Sequence, residues 1–104
     1  MSTRATIEFK DGSEKVYIYR GHDGFPEDIL PDIERAIKIN IQSRFGSAEI
    51  GQLIAVFLGE TYEPKTRVQN YEITTAFHGD ESYRYFVEYN DNERKWEIRQ
   101  GIDR

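Results

Sequence analysis

With 104 residues the chain has room for one domain and its own core, and the absence of cysteine excludes disulfide scaffolds, thiolate metal sites and cysteine nucleophiles. A hydrophobic content of 38% and an aromatic content of 13%, spread through every segment, exclude intrinsic disorder over the body of the chain. The net charge of -5 arises from 19 acidic and 14 basic side chains that alternate along the chain, so it reads as a solvated acidic surface, which disfavours nucleic-acid binding and a phosphate-mimicking role alike.

The stretch from Met1 to Ala5 carries no apolar h-region, and no apolar run approaches the roughly 20 residues of a bilayer-spanning helix. The sequence therefore predicts a cytoplasmic protein with no membrane partner. Ala5, Ile7 and Phe9 alternate with polar residues, Asp11-Gly12 supplies a turn, and Val16 and Ile18 resume the alternation against Tyr17 and Tyr19, which predicts a β-hairpin. After Gly24-Phe25-Pro26, Ile29, Ile33, Ile37 and Ile41 recur at four-residue spacing on an amphipathic helix. Pro31 suits only a first turn, so the helix is expected to begin near Leu30, with Pro26 to Ile29 as a tight lead-in.

Gly46-Ser47 ends that helix and caps a second, whose apolar stripe is Ile50, Leu53, Ile54, Phe57 and Leu58 before Gly59. Thr61 to Gln69, polar and containing Pro64, reads as a connecting loop. Three strands follow: Tyr71, Ile73, Thr75 and Phe77; then Tyr83, Tyr85, Val87 and Tyr89; then Trp96 and Ile98. His78 to Glu81 and Asn90 to Asn92 are their turns. The order ββααβββ predicts a single α+β domain over residues 1–104, an antiparallel sheet with both helices on one face. A third strand antiparallel to the first and beside it would bring the His22-Asp23 and His78-Gly79-Asp80 segments to one rim; a parallel one would part them.

The densest local chemistry is Tyr19-Arg20-Gly21-His22-Asp23-Gly24-Phe25-Pro26-Glu27, at the passage from hairpin to helix. Asp23-Gly24 favours a turn, Phe25 fits as a plug beneath the helix, and Pro26 fixes the chain's approach to it. Alternatively, Arg20 and His22 beside the free amides of a helix start, with Gly24 and Arg84, would take a small anion such as a nucleotide phosphate. The block resembles, together with His78-Gly79-Asp80-x-x-Tyr83-Arg84-Tyr85, small uncharacterised proteins of phages, prophages and mobile elements that share a basic-His-x-Asp-Gly-Tyr-Pro pattern and a later Gly-Asp-x-x-Tyr-Arg-Tyr. The chain departs from that pattern at Gly21, where it has His, and at Phe25, where it has Tyr. The resemblance implies a mobile-element context and no settled activity.

His22, Asp23, His78, Asp80 and Glu81 have the ligand chemistry of a zinc or manganese site, but no pair has a recognised ligand spacing, and no cofactor is expected. No nucleophile elbow or phosphate-cradling loop is present, so the expectation is a non-enzyme, with a metal-dependent hydrolase using the His and Asp turns as the alternative. Tyr17, Tyr19, Tyr83, Tyr85 and Tyr89 lie on strands and, with Arg84 and Arg99, would line an open sheet face of the kind that anchors protein interfaces or a homodimer. The sequence thus predicts a small binding protein, an accessory product acting on a host protein, of which a defence-system inhibitor is one version. Small-anion sequestration is the alternative.

Overall fold

The computed structural model describes residues 2–42 and 49–102. Strand β1 (Ala5–Asp11) pairs antiparallel with β2 (Glu14–Arg20), from Ala5 opposite Arg20 to Asp11 opposite Glu14. The turn is therefore Gly12-Ser13, one place later than the spacing suggested, and Gly12 takes a φ of 62° that a side chain would disfavour. Helix α1 (Pro26–Asn40) and helix α2 (Ile50–Thr61) follow, then β3 (Tyr71–Thr74), β4 (Tyr83–Asn90) and β5 (Lys95–Ile102). This is the predicted ββααβββ order, an α+β domain.

The five strands lie in the order β3-β2-β1-β4-β5. All neighbours are antiparallel except β1 and β4, which run parallel from Ala5 opposite Tyr83 to Lys10 opposite Glu88. The sheet is antiparallel as expected, with this one central pair parallel. Because β3 adds to the outer edge of β2, the chain reaches the far side of β1 only by crossing the sheet, and a crossing link delivers the next strand parallel. The link starts early: Thr75 and Phe77, predicted as strand, have left the sheet.

Strand alternation assigns Ala5, Ile7, Phe9, Ile18, Tyr85 and Val87 to one face, where they form the core with the two helices. Helix α1 contributes Ile29, Ile33 and Ala36, and α2 contributes Ile50, Leu53, Ile54 and Phe57. Phe57 meets Phe9 edge-on at 5.6 Å and Tyr71 at 4.8 Å, which ties the helix layer to both halves of the sheet. Ile41, expected on the buried stripe, is 60% exposed just past the helix end. At 3.6 residues per turn each four-residue step drifts by about 40°, so three steps carry it off the face that Ile29 occupies.

Helix α1 also begins earlier than predicted. Pro26 takes its first position, where a missing N–H costs nothing, and the Phe25 carbonyl accepts from the Asp28 and Ile29 amides at 2.9 and 3.0 Å. Pro31 then falls in the second turn and leaves the Glu27 carbonyl without its helical donor, on an exposed side of the helix. Helix α2 runs through Gly59 to Thr61, whose hydroxyl donates to the Phe57 carbonyl at 2.8 Å. The predicted break at Gly46-Ser47 lies outside the described residues. The loop after α2 is fastened by Gln69, which donates from Nε2 to the Leu58 carbonyl at 2.9 Å and accepts the Tyr71 amide at 3.0 Å.

Candidate partner-binding face

The chain between Thr74 and Tyr83 crosses the face of the sheet that the helices leave bare. That face carries Thr6, Glu8 and Lys10 of β1, Tyr17 and Tyr19 of β2, Arg84, Phe86 and Glu88 of β4, and Lys95, Glu97 and Arg99 of β5, as the register dictates. The crossing segment brings two rings down onto it. His78 stacks flat on Tyr19, with centroids 3.6 Å apart and planes 12° from parallel. Phe77 meets Tyr17 edge-on at 5.1 Å and tilts against Phe86 at 5.8 Å. The Arg84 guanidinium lies over Phe77 at 4.0 Å, and Arg99 covers Phe86 at 4.2 Å. Tyr17, Phe77, Arg84, Phe86 and Arg99 thus form a continuous array of aromatic and guanidinium groups from β2 to β5.

Glu81 pins the crossing segment to the sheet. Its residue is 3% exposed, and its carboxylate accepts from the Thr6 hydroxyl, from the His78 and Gly79 amides at 2.9 and 3.0 Å, and from Arg84 Nε at 3.2 Å. Burial alone would raise the carboxyl's affinity for a proton, but these donors together outweigh it and hold the group below the usual carboxylate range. Gly79, with a φ of 93°, permits the turn that aims two successive amides at one side chain. Asp80 completes the clamp, accepting from the Tyr19 hydroxyl at 3.2 Å and pairing with Arg4 at 3.3 Å. Burial, then the charge of Asp80, pushes the Tyr19 hydroxyl above its ordinary value.

Beyond the crossing segment, β4 and β5 leave a shallow concavity of about 500 Å³, lined by Phe86, Glu88, Lys95, Glu97 and Arg99 with Trp96 and Ile98. Phe86 lies across Gly101, where an added Cβ would come within 3.1 Å of the ring. The Phe86 ring is half-buried, and Arg99 above it is exposed. Mixed charge therefore surrounds a small apolar floor.

The Arg20–Pro26 loop is built differently from the anion site that its composition suggested. Arg20 faces the helix side, donates from Nε to the His22 carbonyl at 2.8 Å, and places its guanidinium 3.8 Å from Asp32 and 5.0 Å from the Tyr71 ring centre. Tyr71 donates to the same carboxylate at 2.7 Å. The Gly24 amide donates to the Thr3 carbonyl at 2.8 Å, and the Gly24 carbonyl accepts from Tyr85 at 2.9 Å. A Cβ at Gly24 would stand 2.7 Å from that of Ala5, so close backbone approach requires the glycine. Glu27 and Asp28 occupy the first turn of α1 and repel an incoming anion. Arg84 is on the opposite face, over Phe77. His22, Asp23 and Phe25 are the exposed residues of this loop, and Asp23 sits at a φ of 53°.

Two further expectations change with the tertiary structure. Phe25 is 39% exposed, 6.2 Å from Tyr83, because the place under the helix start is filled by Tyr85. Tyr85 itself is fully buried on the core face, and Tyr83 and Tyr89 share that face, so only Tyr17 and Tyr19 of the five tyrosines belong to the outer one. The rim arrangement resolves by neither anticipated pairing, since β3 lies beside β2. The two segments still reach one end of the sheet, where Gly24 donates to the Thr3 carbonyl and Ser82 to the Arg4 carbonyl at 2.9 Å. Among the described residues no three His, Cys, Asp or Glu side chains stand close enough to hold a metal ion, and no helix is long and apolar enough to cross a membrane.

Phe77 and Phe86 had carried no binding role in the sequence, and Glu81 only that of a candidate metal ligand, not of the acid that pins the crossing segment. Phe86 was accessible to reasoning: two-residue alternation puts Arg84 and Phe86 together and opposite to Tyr85. Phe77 and Glu81 had no such signal, because their placement follows from where the chain crosses the sheet. Compared with known proteins, the chain matches no family model, no curated protein and no solved structure.

Proposed function

We propose that this chain is a non-enzymatic binding domain whose partner is another protein, docked on the outer face of the sheet around Phe86. The observation that carries the reading is the array of half-buried Tyr17, Phe77, Arg84 and Phe86 with the exposed Arg99 over it, bordered by Glu8, Glu88, Glu97 and Lys95. Aromatic and arginine side chains on a rigid support are the residues that dominate protein interfaces, and a mixed-charge rim confers orientation and selectivity. Glu81 and Asp80 hold Phe77 in this array by fastening the crossing segment to the sheet.

The partner fitting this face presents a small apolar side chain for the Phe86 floor and both charge signs around it. The resemblance of the two sequence blocks to mobile-element proteins supports a host protein as that partner, with a component of a defence system as its most specific form. Nucleotide sequestration at the Arg20–Pro26 loop finds less support, since Arg20, Gly24 and Arg84 are held by internal contacts.

The test is affinity capture from a host lysate with the wild-type chain, with Phe86→Ala and Tyr17→Ala on the face, and with Glu34→Ala on the exposed side of α1. A protein retained by the wild type and Glu34→Ala but lost from both face variants supports the reading. Equal retention by all four removes the outer face from consideration.

A further inference from the structure

The sheet has two free edges, and they differ. β3 is four residues long, whereas β5 has eight regular residues, contains no proline and turns no charged side chain toward the core side, where Trp96, Ile98 and Gln100 lie. β5 packs chiefly against β4, so its outer backbone groups remain open to solvent on the described chain. Proteins ordinarily blunt such an edge with a bulge, a proline or an inward charge. None of these three is present in β5, whose only protection of this kind is the charge of Lys95, Glu97 and Arg99 on its outer face.

The outer-face charges of β5 indicate what covers it. Glu97 stands directly opposite Glu88 within the sheet, an unfavourable like-charge pair, and Arg99 stands opposite the uncharged Phe86. We propose that β5 pairs antiparallel with β5 of a second copy, about a two-fold axis at Ile98, continuing the sheet across the dimer with the helices on one side. Residues directly opposite in an antiparallel pair share a face, so each trial axis passes through one residue. Axes at Ile98 or Arg99 alone let seven strand residues of each copy face one another; the axis at Arg99 sets that guanidinium against its own copy.

The Ile98 axis sets Glu97 against the partner subunit's Arg99, and Arg99 against the partner subunit's Glu97. It also places Ile98 against itself, Trp96 against Gln100 and Lys95 against Gly101, so no like charges oppose. Moving the axis to Glu97 would oppose two glutamates and set Lys95 against Arg99. The registry is thus selected by charge and by length together. Pairing also joins the two concavities over Phe86 into one doubled outer face. This inference goes beyond the binding reading and does not depend on it.

The experiment is sedimentation velocity from micromolar to submillimolar concentration on the wild type, on R99E, on E97R, on the double variant E97R/R99E, and on an equimolar mixture of the two single variants. The wild type is expected to be dimeric at the upper concentrations. Each single variant should weaken self-association by at least about tenfold, because two opposite-charge pairs become like-charge pairs. The double variant and the mixture should restore it, the mixture as a heterodimer. Circular dichroism and melting of each single variant, and the restored association, separate a charge effect from a folding defect. A wild type that stays monomeric throughout, or single variants that associate as well as the wild type, overturns the proposal; a monomer that still captures its partner overturns the dimer while leaving the binding reading in place.

Discussion

Glu81 shows how one buried acid fixes the path of a segment. Its carboxylate gathers donors from β1, β4 and the crossing segment itself, so losing the negative charge weakens every one of them together. Glu81→Gln is expected to destabilise the fold by about 2–3 kcal/mol, read by urea denaturation at neutral pH. Because the folded-state carboxyl is held below its ordinary value, its contribution is complete above the unfolded-state value and is lost as pH falls through the folded-state one. The wild type should therefore lose stability in acid, and the gap between wild type and Glu81→Gln should close there; a gap constant down to acid pH would show that the charge is not what matters. Tyr85 makes a second residue-scale case. Tyr85→Phe leaves the ring in the core and strands the Gly24 carbonyl, costing about 1 kcal/mol, whereas Tyr85→Ala opens a cavity and costs about 3–5 kcal/mol. Equal melting temperatures for the two variants would contradict the buried placement.

At the scale of elements, α1 contains a defect that the fold tolerates. Pro31 lacks the N–H that would reach Glu27, and its ring is exposed, so burial does not offset the loss. Pro31→Ala should stabilise the protein by about 1–2 kcal/mol, the lost helical penalty being partly cancelled by greater freedom of the unfolded chain. A lower melting temperature would mean that the proline shapes the helix start in a way the core depends on. The crossing segment is the converse, an irregular stretch ordered by side chains. Its hydrogen bonds to Glu81, the His78–Tyr19 stack and the Phe77–Tyr17 contact do what a strand's ladder does elsewhere.

Across the whole molecule, the helices cover one face of the sheet and the crossing segment covers half of the other. The uncovered half, over β4 and β5, is where the Phe86 and Arg99 end of the aromatic and arginine array and the long free edge lie. Once a partner is in hand, Phe86→Ala is expected to weaken its binding by about 2 kcal/mol, roughly thirtyfold in Kd by calorimetry, while the melting temperature changes little. A large loss of melting temperature with unaltered affinity would reassign Phe86 to packing over Gly101. Self-association through β5 and capture through the face above it are measured separately, by sedimentation and by calorimetry.

The amino-acid sequence by itself determined the elements and most of the core. Ala5, Ile7, Phe9 and Ile18 alternate because a half-buried strand alternates, and Leu53, Ile54 and Phe57 recur because a helix face recurs. These are local periodicities. The parity of β4 was equally readable, and it separates Tyr85 from Arg84 and Phe86. The tertiary structure alone decided the rest: that β1 meets β4 in parallel, that Phe77, His78 and Glu81 lie across the sheet, and that Arg20 turns to Asp32. Those contacts join residues far apart in the chain, and no short-range pattern encodes which edge a returning strand will take. The physical reason is that strand order follows from burying all the apolar faces at once, a condition on the whole chain, whereas each strand or helix needs only its own alternation.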